Sequence, residues 1–129
     1  MAPTPGEEGF GGLGGGGSFG VRRPLRFLAH KLDLDEKQVV LLARILDQLK
    51  TERAQAAVDD RRALADFADA LAGEQFDGVK AAAAGDRRVE SNKRLRETLV
   101  RSLEQIHAML NPEQRERLAH LIRAGVLSV

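Results

Sequence analysis

Five residues occur twice in this chain, and the two copies fix where its helices begin. Leu34-Asp35-Glu36-Lys37-Gln38 returns 76 residues later as Leu110-Asn111-Pro112-Glu113-Gln114. In each copy a cap residue, Asp35 or Asn111, offers a side-chain oxygen to the free amide hydrogens of a first helical turn. Three residues on, Gln38 or Gln114 is placed to reach back and accept from the amide of that cap residue. Leu34 and Leu110 stand before the caps, where an apolar side chain staples the entering chain to the first turn. Pro112 occupies a first helical position, where its missing N–H is no loss. Glu36 and Glu113 suit the positive end of the helix dipole.

The remaining elements follow from these starts. Pro24 opens a short helix over residues 25–32 with Leu25, Leu28 and Leu32 on one face. A long helix runs from Glu36 to about Ala72 and stops at Gly73. Its apolar stripe is Val39, Leu42, Leu46, Leu49, Arg53, Ala57, Leu64, Phe67 and Leu71, interrupted in the middle. Val40, Leu41 and Ile45 give its first turns a second apolar face, so that end must contact two things, such as its own hairpin and another element or subunit. Phe76-Asp77-Gly78 reads as a further staple and cap. The helix it starts reaches about Leu110, with an inner stripe of Leu95, Leu99, Leu103, Ile106 and Leu110. On its polar face Glu90–Arg94, Arg94–Glu97 and Glu97–Arg101 have ion-pair spacing. The last helix, Pro112 to about Ala124, presents Leu118, Leu121 and Ile122 and ends at Gly125.

The expected fold is therefore all-α. It is a long antiparallel helical hairpin, closed by a five-residue connection and flanked by two short helices, four helices in all. Alanine, leucine, arginine and acidic residues suit helices, and five phenylalanines with neither tryptophan nor tyrosine make for a thin core. Such a hairpin leaves apolar surface uncovered, and dimerisation is the economical remedy. Residues 1–20 hold nine of the thirteen glycines. They read as a disordered tether, and residues 21–129 as the folded domain. All 20 Lys and Arg residues follow Gly20, against 17 of the acidic residues, so the folded part carries a net +3. That balance gives no indication of nucleic acid binding. No cysteine is present, which excludes disulfides and thiolate chemistry. The chain shows no apolar run of membrane-spanning length and no signal-peptide core.

The doubled motif is similar to the paired Leu-Thr-x-x-Gln motif of the Spy/CpxP family of periplasmic stress proteins and their metal-sensing relatives. Threonine is the usual cap there; Asp35 and Asn111 do the same work here. The resemblance covers roughly residues 24–125, including helix order and motif spacing. It implies a Spy-like dimeric cradle and a periplasmic location; on that reading the sequence is a mature or trimmed form of an exported protein, the alternative being a version that stays inside. It also implies an ATP-independent chaperone or stress-accessory role, binding unfolded clients on an apolar, basic surface. Candidate residues for that surface are Arg22, Arg23, Arg26, Phe27 and Lys31, with Arg61, Arg62 and Phe67 from the hairpin.

Catalysis finds no support: there is no Ser-His-Asp spacing, phosphate-cradling loop or zinc-binding cysteine pair. Asp59 and Asp60 are adjacent, so on a helix they diverge by about 100° and form no acid–base dyad. The chain reads as non-enzymatic, without a cofactor. The alternative to a chaperone is a heavy-metal-responsive sensor or resistance protein that binds zinc, nickel or cobalt and a signalling partner. Metal-sensing relatives carry histidines near the first helix and late in the third, and His30 and His107 fall in the matching regions. No His-x-x-x-His pair accompanies them. A third reading is a structural adaptor that dimerises through the hairpin.

Overall fold

The computed structural model describes residues 24–129. The glycine-rich tether expected over residues 1–20 lies outside the described residues. Within them the chain forms four helices: α1, Pro24–Lys31; α2, Glu36–Ala72; α3, Gly78–Met109; and α4, Pro112–Arg123. Helices α2 and α3 pack against each other as an antiparallel hairpin. Helices α2, α3 and α4 start directly after their caps, and α1, expected over residues 25–32, stands one residue earlier, from Pro24 itself.

Two compact units share these helices. Residues 24–50 and 101–129 make a four-helix unit, and residues 51–100 make a hairpin unit. The four-helix unit has a conventional apolar core. Leu28 and Leu32 come from the first helix and its exit, and Leu42, Ile45, Leu46 and Leu49 from the second. Ile106 and Leu110 come from the third helix and its exit, and Leu118 and Leu121 from the fourth. Each such leucine contributes on the order of 1.5–3 kcal/mol through burial. Leu127 joins this core at 1 % exposure although it follows the last helix. A Schellman turn returns it: Gly125 adopts φ 76°, its amide bonds the Ile122 carbonyl, and the Val126 amide bonds that of Leu121. Helix α1 ends in the same way, but the left-handed residue is Asp33, at φ 54°. The Asp33 and Leu34 amides there bond the carbonyls of His30 and Ala29.

The hairpin unit is built differently, and here the structure corrects the expected stripe. Leu64 and Leu71 are exposed, as is Ala57, while Ala63, Ala70, Ala84 and Ser91 are the buried positions. Small residues let two helices approach closely, and a close approach leaves no room for leucine between them. The leucines are displaced to the flank. Attraction comes instead from ion pairs between the helices: Asp66 with Arg87, Asp60 with Arg88 at 2.6 Å, and Asp59 with Arg94 at 3.1 Å. Lys80 and Asp69 stand further apart, at 3.9 Å. Arg94, expected to pair with its helical neighbours, reaches across to α2 instead. An inter-helix carboxylate fixed by a second donor, the Ser91 hydroxyl, is the better partner.

Candidate functional site

The doubled motif forms one closed hydrogen-bond network in the four-helix unit. Each copy makes its capping box. The Gln38 amide donates to Asp35 Oδ1 at 2.8 Å, and the Asp35 amide donates to Gln38 Oε1 at 3.0 Å. The Gln114 amide donates to Asn111 Oδ1, and the Asn111 amide to Gln114 Oε1, at the same two distances. What the sequence reading did not foresee is that the two glutamines also bond each other. Gln38 Nε2 donates to Gln114 Oε1 at 2.8 Å, and Gln114 Nε2 donates to Gln38 Oε1 at 3.2 Å. Each carboxamide then closes the end of a helix belonging to the other copy. Gln38 Nε2 donates to the Met109 carbonyl at 2.8 Å, where α3 ends. Gln114 Nε2 donates to the Leu32 carbonyl at 3.1 Å, just past the end of α1.

A carboxamide has two donors and two acceptor sites, and both side chains use all four. The signal was present in the sequence: both copies carry Gln where a capping box equally accepts Glu. Only the amide has hydrogens to donate.

The residues expected to bind clients fall in two places. Arg22 and Arg23 lie outside the described residues. In the four-helix unit Arg26 and Lys31 are exposed, and the Lys31 ammonium stands 5.9 Å from the centre of the half-buried Phe27 ring. In the hairpin unit Arg61 and Arg62 are exposed, and Phe67 is half-buried. The cation over the Phe67 ring is Arg88, 5.8 Å from its centre, a neighbour that helical spacing on α2 alone does not reveal. Both aromatic residues thus carry a cation against one face, a pairing worth about 0.5–1 kcal/mol at exposed sites. Beside this cluster the Asp59 carboxyl is held below its ordinary value of 3.8. The Ser91 hydroxyl is the main cause, followed by the Gln55 amide; burial opposes them, and the Arg94 and Arg62 charges add smaller lowering effects.

The four-helix unit also presents an open apolar groove of about 770 Å³, lined by Leu34, Glu36, Lys37, Val39, Val40 and Leu41. Val40 is 58 % exposed and Leu41 42 %. These two belong to the second apolar face expected on the first turns of α2; the third, Ile45, is buried in the core. His30 and His107 are both exposed, as is His120. Among the described residues no group of three or more His, Cys, Asp or Glu side chains is gathered to hold a metal ion. No helix among the described residues is long and apolar enough to cross a membrane.

Comparison with known proteins agrees with the motif. The model of a family described as LTXXQ motif family protein matches residues 21–121, most of the chain and both copies of the five-residue pattern. No curated protein and no solved structure matches the chain significantly.

Proposed function

Because the chain belongs to the LTXXQ motif family, the family of Spy/CpxP-like proteins, we propose that it is an ATP-independent chaperone or stress-accessory protein of the periplasm. The family is one of non-enzymatic accessory proteins. The observation that carries the reading is that each unit has its own half-buried aromatic ring backed by a cation: Phe27 with Lys31, near exposed Arg26, in the four-helix unit, and Phe67 with Arg88, on the same helix as exposed Arg61 and Arg62, in the hairpin unit; each is a small apolar, basic surface. Such a surface attracts an acidic unfolded chain over about a Debye length, roughly 8–10 Å at physiological salt. It then holds apolar side chains by contacts too small to trap them. Weak, distributed binding leaves the client free to fold and depart.

A second copy of the chain is the proposed partner for the Val40–Leu41 groove. An aggregation assay with a destabilised client tests the function. Equimolar protein is expected to suppress light scattering, and the double substitution R61E/R62E to weaken suppression most at low ionic strength. Unchanged aggregation with the unmodified protein rejects the role.

A further inference from the structure

The five-residue connection between α2 and α3 and the helix ends on either side of it are exposed throughout, from Leu71 to Lys80. Loops of this kind normally present small and polar residues. Here the loop presents Phe76 at 65 % exposure, and the helix ends flanking it add Leu71 at 73 % and Val79 at 84 %, three large apolar side chains within nine residues. The turn does not need them. Its geometry is set by Asp77, whose Oδ1 accepts from the Lys80 amide at 3.0 Å and whose own amide bonds the Ala70 carbonyl at 3.1 Å.

Phe76 occupies the staple position before that cap, but the residue four places into the helix is Ala81, too small to cover a phenyl ring. The nearest other side of the turn is Gly78, where a Cβ would stand 3.8 Å from the ring edge. With alanine in place of a large staple partner, Phe76 stays 65 % exposed.

Charge then selects what can cover the ring. Asp69, Glu74 and Asp77 surround the turn, with Lys80 as the only cation between residues 69 and 80, a net −2. Lys80 stands 3.9 Å from Asp69, and the next cation along α3, Arg87, is engaged by Asp66. Helix α2 ends here with no basic residue in its last turn, so its carbonyl end adds partial negative charge. The amide end of α3 offsets that partial charge, which leaves the formal charges to decide the sign. Acidic clients, suited to the arginine surface, are repelled here.

We propose that the Leu71–Val79 turn is a second client contact, specific for unfolded segments in which Arg or Lys neighbours large apolar residues. The apolar side chains of the segment cover Phe76, Leu71 and Val79, and its cations meet Glu74, Asp77 and Asp69. The choice of an unfolded segment as occupant rests on the chaperone reading; the turn's preference for basic over acidic sequence does not.

The test is fluorescence anisotropy with the full chain and two labelled peptides of equal length, one alternating leucine with arginine and the other leucine with glutamate. The basic peptide is expected to lose roughly tenfold or more in affinity with Phe76→Ser, the effect of no longer burying one phenyl ring. Glu74→Lys is expected to weaken the basic peptide while leaving the acidic one unchanged or tighter. Both positions are exposed, and an unaltered thermal transition for each variant shows that the fold persists. Equal basic-peptide affinity for Phe76→Ser and the unmodified chain overturns the proposal, as does a basic peptide that binds no better than the acidic one. A chain that suppresses aggregation yet fails these tests retires the turn and leaves the chaperone reading standing. A chain that binds the basic peptide through Phe76 but suppresses no aggregation does the reverse.

Discussion

Gln114 is almost wholly buried, and its carboxamide is the meeting point of two capping boxes and a helix end. Changing it to glutamate keeps the shape and removes both hydrogens. The carboxylate would then face the Leu32 carbonyl and Gln38 Oε1 with nothing to donate. Buried acceptors left unpaired in this way cost about 1–3 kcal/mol, and more where charge is involved. Gln114→Glu is expected to lower unfolding stability by at least about 2 kcal/mol in urea titration at neutral pH. Part of the loss should return as the pH falls and the new carboxyl gains a proton.

Asp33 offers the opposite case. It holds the left-handed position that ends α1, a conformation glycine adopts freely, and it adds negative charge at the carbonyl end of that helix. Asp33→Gly is expected to raise stability by up to about 1 kcal/mol in the same titration. The capping half of the motif was legible in the sequence, because Asx–x–x–Gln is a local pattern. The bonds between the glutamines were not, since they join residues 76 apart and depend on how two helix ends meet.

At the scale of the element, helix boundaries were the most legible part of the fold. Caps, prolines and glycines act within one turn, and all four helices begin where those signals stand. The hairpin's contact face was not, because helical periodicity identifies leucine stripes and cannot register that alanines face the partner helix. Ala63, Ala70 and Ala84 are buried where Leu64 and Leu71 were expected. Polar pairs then carry much of the specificity of the hairpin, Asp59 with Ser91 and Arg94 most of all. The folded-state pKa of Asp59 lies below its ordinary value of 3.8, so its ionised form is favoured by folding. That stabilisation is present above pH 3.8 and is lost as the pH falls through the lowered value. Amide protection factors in residues 51–100, corrected for the intrinsic exchange rate that itself slows with acid, should therefore fall on acidification below about pH 4, the ordinary carboxylate range, and Asp59→Asn should flatten that dependence.

The whole molecule joins two kinds of interior, one apolar and one of small residues and ion pairs. In the four-helix unit, surplus apolar surface lies where the sequence placed a second face on α2, at Val40 and Leu41. If a second copy covers it, sedimentation velocity on the full chain should give a dimer at micromolar concentration. Val40→Asp should then give a monomer with an unchanged helical spectrum. A monomer in the unmodified chain at that concentration removes the dimer from the proposed function.

The two glutamines that bond each other carry one more consequence. Neither titrates at any physiological acidity, and neither attracts counterions, so the bonds between them are indifferent to the solution outside. The carboxylate–guanidinium pairs along the hairpin are not. A sudden acid or saline environment would slacken the ion pairs between residues 51 and 100, while the bonds between the two neutral amides stay as they are.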